Sequence, residues 1–169
     1  MSMNQPLWAP WRMAYIDGDK PPGCIFCRFP AAPESADREN LVLHRTAHAF
    51  TCLNRFPYNS GHVMVIPRAH GADLAALPPE AWTDLQDELR RAARVVQAVY
   101  RPEGLNVGMN LGRVAGAGIA DHLHWHVVPR WGGDNNFMPV LADVRVIVEA
   151  LDQAWSRLTA GFAEDADGT

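Results

Sequence analysis

Alternating and three-and-four-spaced apolar positions divide the chain into short strands and two helices. Residues 40–44, 48–53 and 62–66 read as strands, the last two separated by the turn-forming run Pro57-Tyr58-Asn59-Ser60-Gly61. After Pro78-Pro79, Trp82, Leu85, Leu89, Ala92, Val96 and Val99 recur at helical spacing with charges between them, which predicts a long helix to about Tyr100. Strands at 105–111 and 122–128 follow, joined by a glycine-rich loop over 112–118. A stripe of Val144, Ile147, Leu151, Trp155 and Leu158 predicts a helix over about 143–158, and 163–169 reads as a disordered acidic tail. No repeat or linker breaks this order. One α+β domain over 1–162 is expected, with a mainly antiparallel sheet of about five strands, one long helix and a C-terminal helix.

The strand expected over 122–128 carries the densest chemistry. Side chains alternate faces along a strand, so His122, His124 and His126 would share one face, roughly 7 Å apart in successive pairs, while Leu123, Trp125 and Val127 face the core. Three of the seven histidines thus stand in one row. Imidazole titrates near pH ~6.5 and serves as nucleophile, proton carrier or metal ligand, so the row marks a site. Glycines in the loop before it let backbone N–H groups approach an anion without a Cβ in the way, although any mobile connection looks similar.

Composition narrows the classes. With 48% apolar and 20% charged residues, the 169-residue chain is ordinary for a soluble globular domain. A net charge of −4 and a single lysine, Lys20, argue against nucleic acid held on a diffuse basic surface. No apolar run approaches the ~20 residues that span a bilayer, and the opening Met1-Ser2-Met3-Asn4-Gln5-Pro6 lacks the regions of a signal peptide. The three cysteines, with Cys24 and Cys27 at CxxC spacing, suit thiol or metal chemistry in a reducing, cytoplasmic setting better than a disulfide framework. Trp8 and Trp11 read as packing residues of a core or a subunit interface.

His122-Leu123-His124-Trp125-His126-Val127-Val128 resembles the signature of the histidine triad (HIT) family. Leu53-Asn54-Arg55-Phe56-Pro57, Gly61-His62-Val63-Met64-Val65-Ile66-Pro67-Arg68 and the run over 104–130 stand in the order that family uses, so the resemblance covers roughly 20–130. The stretch from Asp121 through Pro139 looks most like the diadenosine polyphosphate hydrolase and phosphorylase branch.

The resemblance implies a nucleotide or dinucleoside polyphosphate substrate and no organic cofactor. His124 would attack the α-phosphorus, giving a nucleotidyl-histidine that a second acceptor resolves. A backbone carbonyl near His122 could hold the other ring nitrogen of His124, and His126 with the peptide N–H groups around Gly116, Gly118 and Ile119 would meet the charge on the phosphoryl oxygens. Asn54 matches a ribose contact and Asn110 an amide near the α-phosphate; taken singly, either could equally satisfy local backbone groups. Where phosphorylases of this branch carry a hydroxyl residue shortly before the triad, this chain has Gly118 and Ile119, which leaves water as the simpler acceptor and phosphate as the alternative.

For the metal, zinc-binding members of the family pair the CxxC cysteines with a histidine after Ile-Pro and with the first triad histidine. Here that set is Cys24, Cys27, His70 and His122, a closed tetrahedral group suited to a structural zinc, against the bland reading of two reduced cysteines. His44, His48 and His62 have weaker claims, His62 reading as a hydrogen-bonded structural histidine. Family members pair as homodimers whose sheets join, with Trp8, Trp11 and Trp155 available for such a contact. Two rival readings remain: a catalytic metal on the row itself, opposed by the lack of any carboxylate beyond Asp121, and a zinc-stabilised nucleotide-binding protein with little turnover.

Overall fold

The computed structural model describes residues 23–134 and 147–167. Trp8, Trp11 and Val144 lie outside them.

Five strands form one fully antiparallel sheet in the order β1-β2-β3-β5-β4, with β1 at Val42–Arg45, β2 at Ala49–Leu53, β3 at Val63–Pro67, β4 at Gly104–Met109 and β5 at Trp125–Arg130. Every residue of β2 and β3 is buried, as expected of central strands covered on both faces. One face carries Leu43, Ala49, Leu53, Val63, Val65 and Val127. The long helix α3 (Pro79–Tyr100) lies on it through Leu85, Ala92, Val95 and Val96, together with the C-terminal helix α4 (Leu151–Asp167) through Ala154, Leu158 and Phe162. The opposite face carries Val42, Phe50, Cys52, Met64 and Ile66, covered by Phe26 of a short helix α1 (Ile25–Ala31). A single turn, α2 (Asp37–Asn40), leads into β1.

Helix α3 matches its expected span, with Pro79 at the first position where a missing N–H costs nothing. Trp82, assigned to its apolar stripe, is 36% exposed. Buried Glu88 replaces an apolar side chain on that face; it accepts hydrogen bonds from Thr51 Oγ1 and from His44 Nδ1 at 3.0 Å, tying α3 to β2 and β1. His44 also stacks on Phe162 of α4. Gly61, at φ +73°, lies so close under Tyr100 that a Cβ would stand 2.6 Å from its ring.

Two expectations are corrected. The Gly/Pro/Cys-rich stretch before residue 38, to which the apolar pattern assigns no element, contains α1, which runs from Ile25 through Pro30 to Ala31. Helix α4 runs through Asp167, so the part of the supposed tail at 163–167 is helical; Asp165 accepts hydrogen bonds from Arg94 of α3 at 3.0 and 2.7 Å. Trp155, expected to be available for a subunit contact, is half-buried: its ring packs on the core and its Nε1–H donates to the Val42 carbonyl at 2.8 Å.

Candidate active site and metal centre

Strand β5 starts at Trp125, three residues later than the alternation predicts. Trp125 is opposite Val65 of β3; two residues further along that strand stands Pro67, which has no N–H with which to continue the ladder. The extended lead-in over 122–124 is held by other bonds: Leu123 N–H donates to Gly71 O at 2.8 Å, and His122 Nε2–H donates to the freed Pro67 carbonyl at 2.8 Å. The alternation itself holds. Leu123 and Val127 are buried and Trp125 packs against the main core, while Phe26 of α1 contacts both His122 and His124 at 5.5 and 5.2 Å between ring centroids.

Each histidine of the row has its proton fixed by a neighbour. His124 Nδ1 lies 2.8 Å from His122 O; a carbonyl only accepts, so Nδ1 carries the proton and Nε2 keeps the lone pair. Burial lowers the His124 pKa, opposed in part by that same bond, which favours an unprotonated Nε2. His126 is reached through His62. The Tyr58 amide N–H donates to His62 Nδ1 at 3.0 Å, so neutral His62 carries its proton on Nε2, 2.9 Å from His126 Nδ1. His126 Nδ1 therefore accepts and its Nε2 bears the hydrogen. Burial first, and neighbouring imidazoles second, push His62 down to about 3 and His126 to about 4, so both are neutral at neutral pH.

The fourth histidine of the site is thus His62, which sequence reasoning left as structural. Its signal was parity: it precedes β3 by one residue and falls on the Met64 side of that strand, and Met64 lies opposite His126. Asn54 caps the β2–β3 turn, accepting from Phe56 N–H at 2.9 Å, and approaches His62 Nδ1 with its amide nitrogen at 3.4 Å. Asn110 follows β4 and lines a cavity of about 620 Å³ that also contains His126. Gly116, at φ +95°, brings the loop against Asn110, whose amide nitrogen would lie 3.5 Å from a Cβ there. Gly118 is exposed, and Ile119 packs beside Phe26.

On the other side of His122, Cys24, Cys27, His70 and His122 gather with all ligand atoms within 4.8 Å of one another. Cys24 caps α1 and Cys27 stands one turn on, so both sulfurs fall on one side of the helix. Cys24 Sγ to His122 Nδ1 and Cys27 Sγ to His70 Nδ1 are each 3.4 Å; Cys27 Sγ to His122 Nδ1 is 3.7 Å and His70 to His122, between Nδ1 atoms, 3.3 Å. These match the roughly 3.3–3.8 Å edges of a tetrahedron with zinc–ligand bonds of about 2.0–2.3 Å. The Nε2–H bond of His122 to Pro67 O turns its Nδ1 lone pair toward the group, the usual orientation of a ligating histidine. The donor set therefore fits zinc, which would tie α1, the segment after β3 and the lead-in to the row into one knot.

Residues 36–133 match the HIT domain family. The chain is similar to the AP-4-A phosphorylase of Mycobacterium tuberculosis, 39% identical over 156 residues, which is 87% of this chain and 78% of that protein. It is similar also to the adenosine 5′-monophosphoramidase of Candida albicans, 30% identical over 111 residues, 63% of this chain and 70% of that one. Among solved structures, a zinc-bound histidine triad family protein from Mycobacterium smegmatis superimposes with a TM-score of 0.68 at 25% identity, over 87% of this chain and 98% of that one.

Proposed function

The chain belongs to the HIT domain family, and from that premise we propose that it cleaves dinucleoside polyphosphates by nucleotidyl transfer through His124. The observation that carries this reading is the His122 O bond to His124 Nδ1–H, which leaves Nε2 as the nucleophile in a buried row. The Nε2 lone pair forms a bond to the α-phosphorus as the bridging P–O bond breaks, and the departing oligophosphate oxygen takes that electron pair. The ring becomes a phosphoimidazolium whose positive charge is spread toward the His122 carbonyl. The Nε2–H of His126 donates to the oxygens where charge grows, and Asn110 stands in the same cavity. Water then attacks the phosphorus, the P–N pair returns to His124 Nε2, and one proton from the water goes to solvent.

Phosphate as acceptor is the second reading, supported by the AP-4-A phosphorylase relative. It would form a nucleoside diphosphate in place of the monophosphate. Gly118 and Ile119, with no hydroxyl, favour water. The Cys24, Cys27, His70 and His122 group is read as a structural zinc site. No helix among the described residues is long and apolar enough to cross a membrane, and we place the protein in the cytoplasm on its unpaired cysteines. A homodimer joined through β4, the outermost strand beside β5, completes the reading.

The test is incubation with diadenosine tetraphosphate, with and without inorganic phosphate, beside His124→Ala. The reading expects ATP and AMP without phosphate, and a fall of roughly 10⁴-fold or more in the variant. ATP and ADP appearing only with phosphate would assign phosphorolysis instead, and turnover retained in the variant would remove the mechanism.

A further inference from the structure

The cavity beside His126 extends well past the reacting atoms. Its floor follows from register: Gly108 is opposite His126, Asn106 opposite Val128 and Gly104 opposite Arg130. Because alternate residues share a face, positions 106, 108 and 110 of one chain segment and 126, 128 and 130 of the other make a two-strand trough on the histidine face. From His126 to Arg130 it runs about 13 Å. The apolar cluster of Phe26 and Ile119 lies elsewhere on this face, and Phe26 contacts His124. The nucleophile therefore has an apolar neighbour and, beyond His126, a trough in which Asn106, Asn110 and Arg130 stand beside Val128.

The trough's lining is built rather than incidental. Gly108 keeps the floor bare, although a Cβ there would meet nothing within 4 Å and its backbone does not demand glycine. Tyr58 forms a wall, its ring tilted over His62 and His126 at 4.8 and 5.9 Å. At the far end the Arg130 guanidinium is held flat: Nε and Nη2 donate to Asp134 at 2.6 and 3.0 Å and Nη1 to Asn106 at 2.7 Å. A guanidinium fixed in its plane offers a face on which a base stacks, and its pairing with Asp134 leaves no bare cation to trap an anionic product.

We infer that this trough is the subsite for the departing nucleotide, with the oligophosphate passing His126 over Gly108 and the second nucleoside lodged against Tyr58 and Arg130. The inference rests on the function proposed above and adds to it the size of the leaving group: a second nucleoside, not an amine or a bare phosphate, fills the trough. In-line displacement supports the assignment, since the leaving oxygen departs opposite the attacking Nε2, and His126, whose free Nε2–H meets such charge, stands at the trough's near end.

The experiment compares two substrates that share the transferred half, diadenosine tetraphosphate and adenosine 5′-phosphoramidate. Gly108→Leu fills the floor, and Asn106→Ala, two residues further from the row, removes a polar group at the far end. Both should lower kcat/KM for the dinucleotide relative to the phosphoramidate, by about tenfold or more for Gly108→Leu and in the same direction for Asn106→Ala. Parallel loss on both substrates in both variants, or no change in either, overturns the subsite alone. Turnover of neither substrate by the unaltered protein removes the proposed function and the subsite with it.

Discussion

His62 has no freedom in where it keeps its proton. The Tyr58 amide occupies Nδ1, so the hydrogen sits on Nε2 and points at His126, which must then present its own N–H to the cavity. A substitution that cannot donate at that place, His62→Phe, leaves His126 free to take either tautomer. Its kcat should fall by about 10–100-fold, the usual loss when the partner of a positioned histidine is removed. His62→Gln, which retains a donor, should recover part of it. Steady-state rates of the two variants check this, and equal losses in both would mean that His62 acts by packing alone. Nothing in the local sequence distinguishes His62 from a packing histidine, because the distinction rests on a strand register that pairs residues 64 and 126.

At the level of elements, the long helix, the five strands and the triad's facing were legible, since each rests on a period that the sequence displays directly. Helix α1 was not: seven residues containing a proline give too few turns for a period, and its existence depends on Phe26 finding the pocket between His122, His124 and the strand residues Phe50 and Met64. The late start of β5 was hidden for a similar reason, because Pro67 ends the ladder from a strand almost sixty positions away in the chain. Helix α1 also bears both cysteines of the metal group. Purified without chelator, the protein is expected to hold one zinc per chain, and Cys27→Ser should lose it together with several degrees of melting temperature. Zinc analysis and a thermal scan of both proteins decide the matter; zinc near zero in the unaltered protein would sink the site.

Across the whole molecule the sheet separates two tasks. Helices α3 and α4 bury one face, and the other holds four imidazoles kept neutral inside the fold or at its edge. That arrangement makes the molecule sensitive to acid. His62 and His126 titrate near ~6.5 when unfolded but at about 3 and about 4 in the folded chain. Below pH ~6.5 the unfolded chain binds protons that the folded one refuses, so stability is full above that value and declines as pH falls toward 4, by about 1.4 kcal/mol per pH unit for each group. Urea midpoints measured from pH 7.5 to 4.5 should show the decline, and His62→Gln should make it shallower; an identical slope in the variant would exclude His62 as a source. The acceptor that aims His124 is the main-chain oxygen of residue 122, which every amino acid possesses. A lineage can therefore discard the imidazole at 122, and with it one side chain of the Cys24, Cys27, His70 and His122 group, while His124 keeps its aim: the proposed nucleophile is inherited through the backbone, and the metal group through side chains alone.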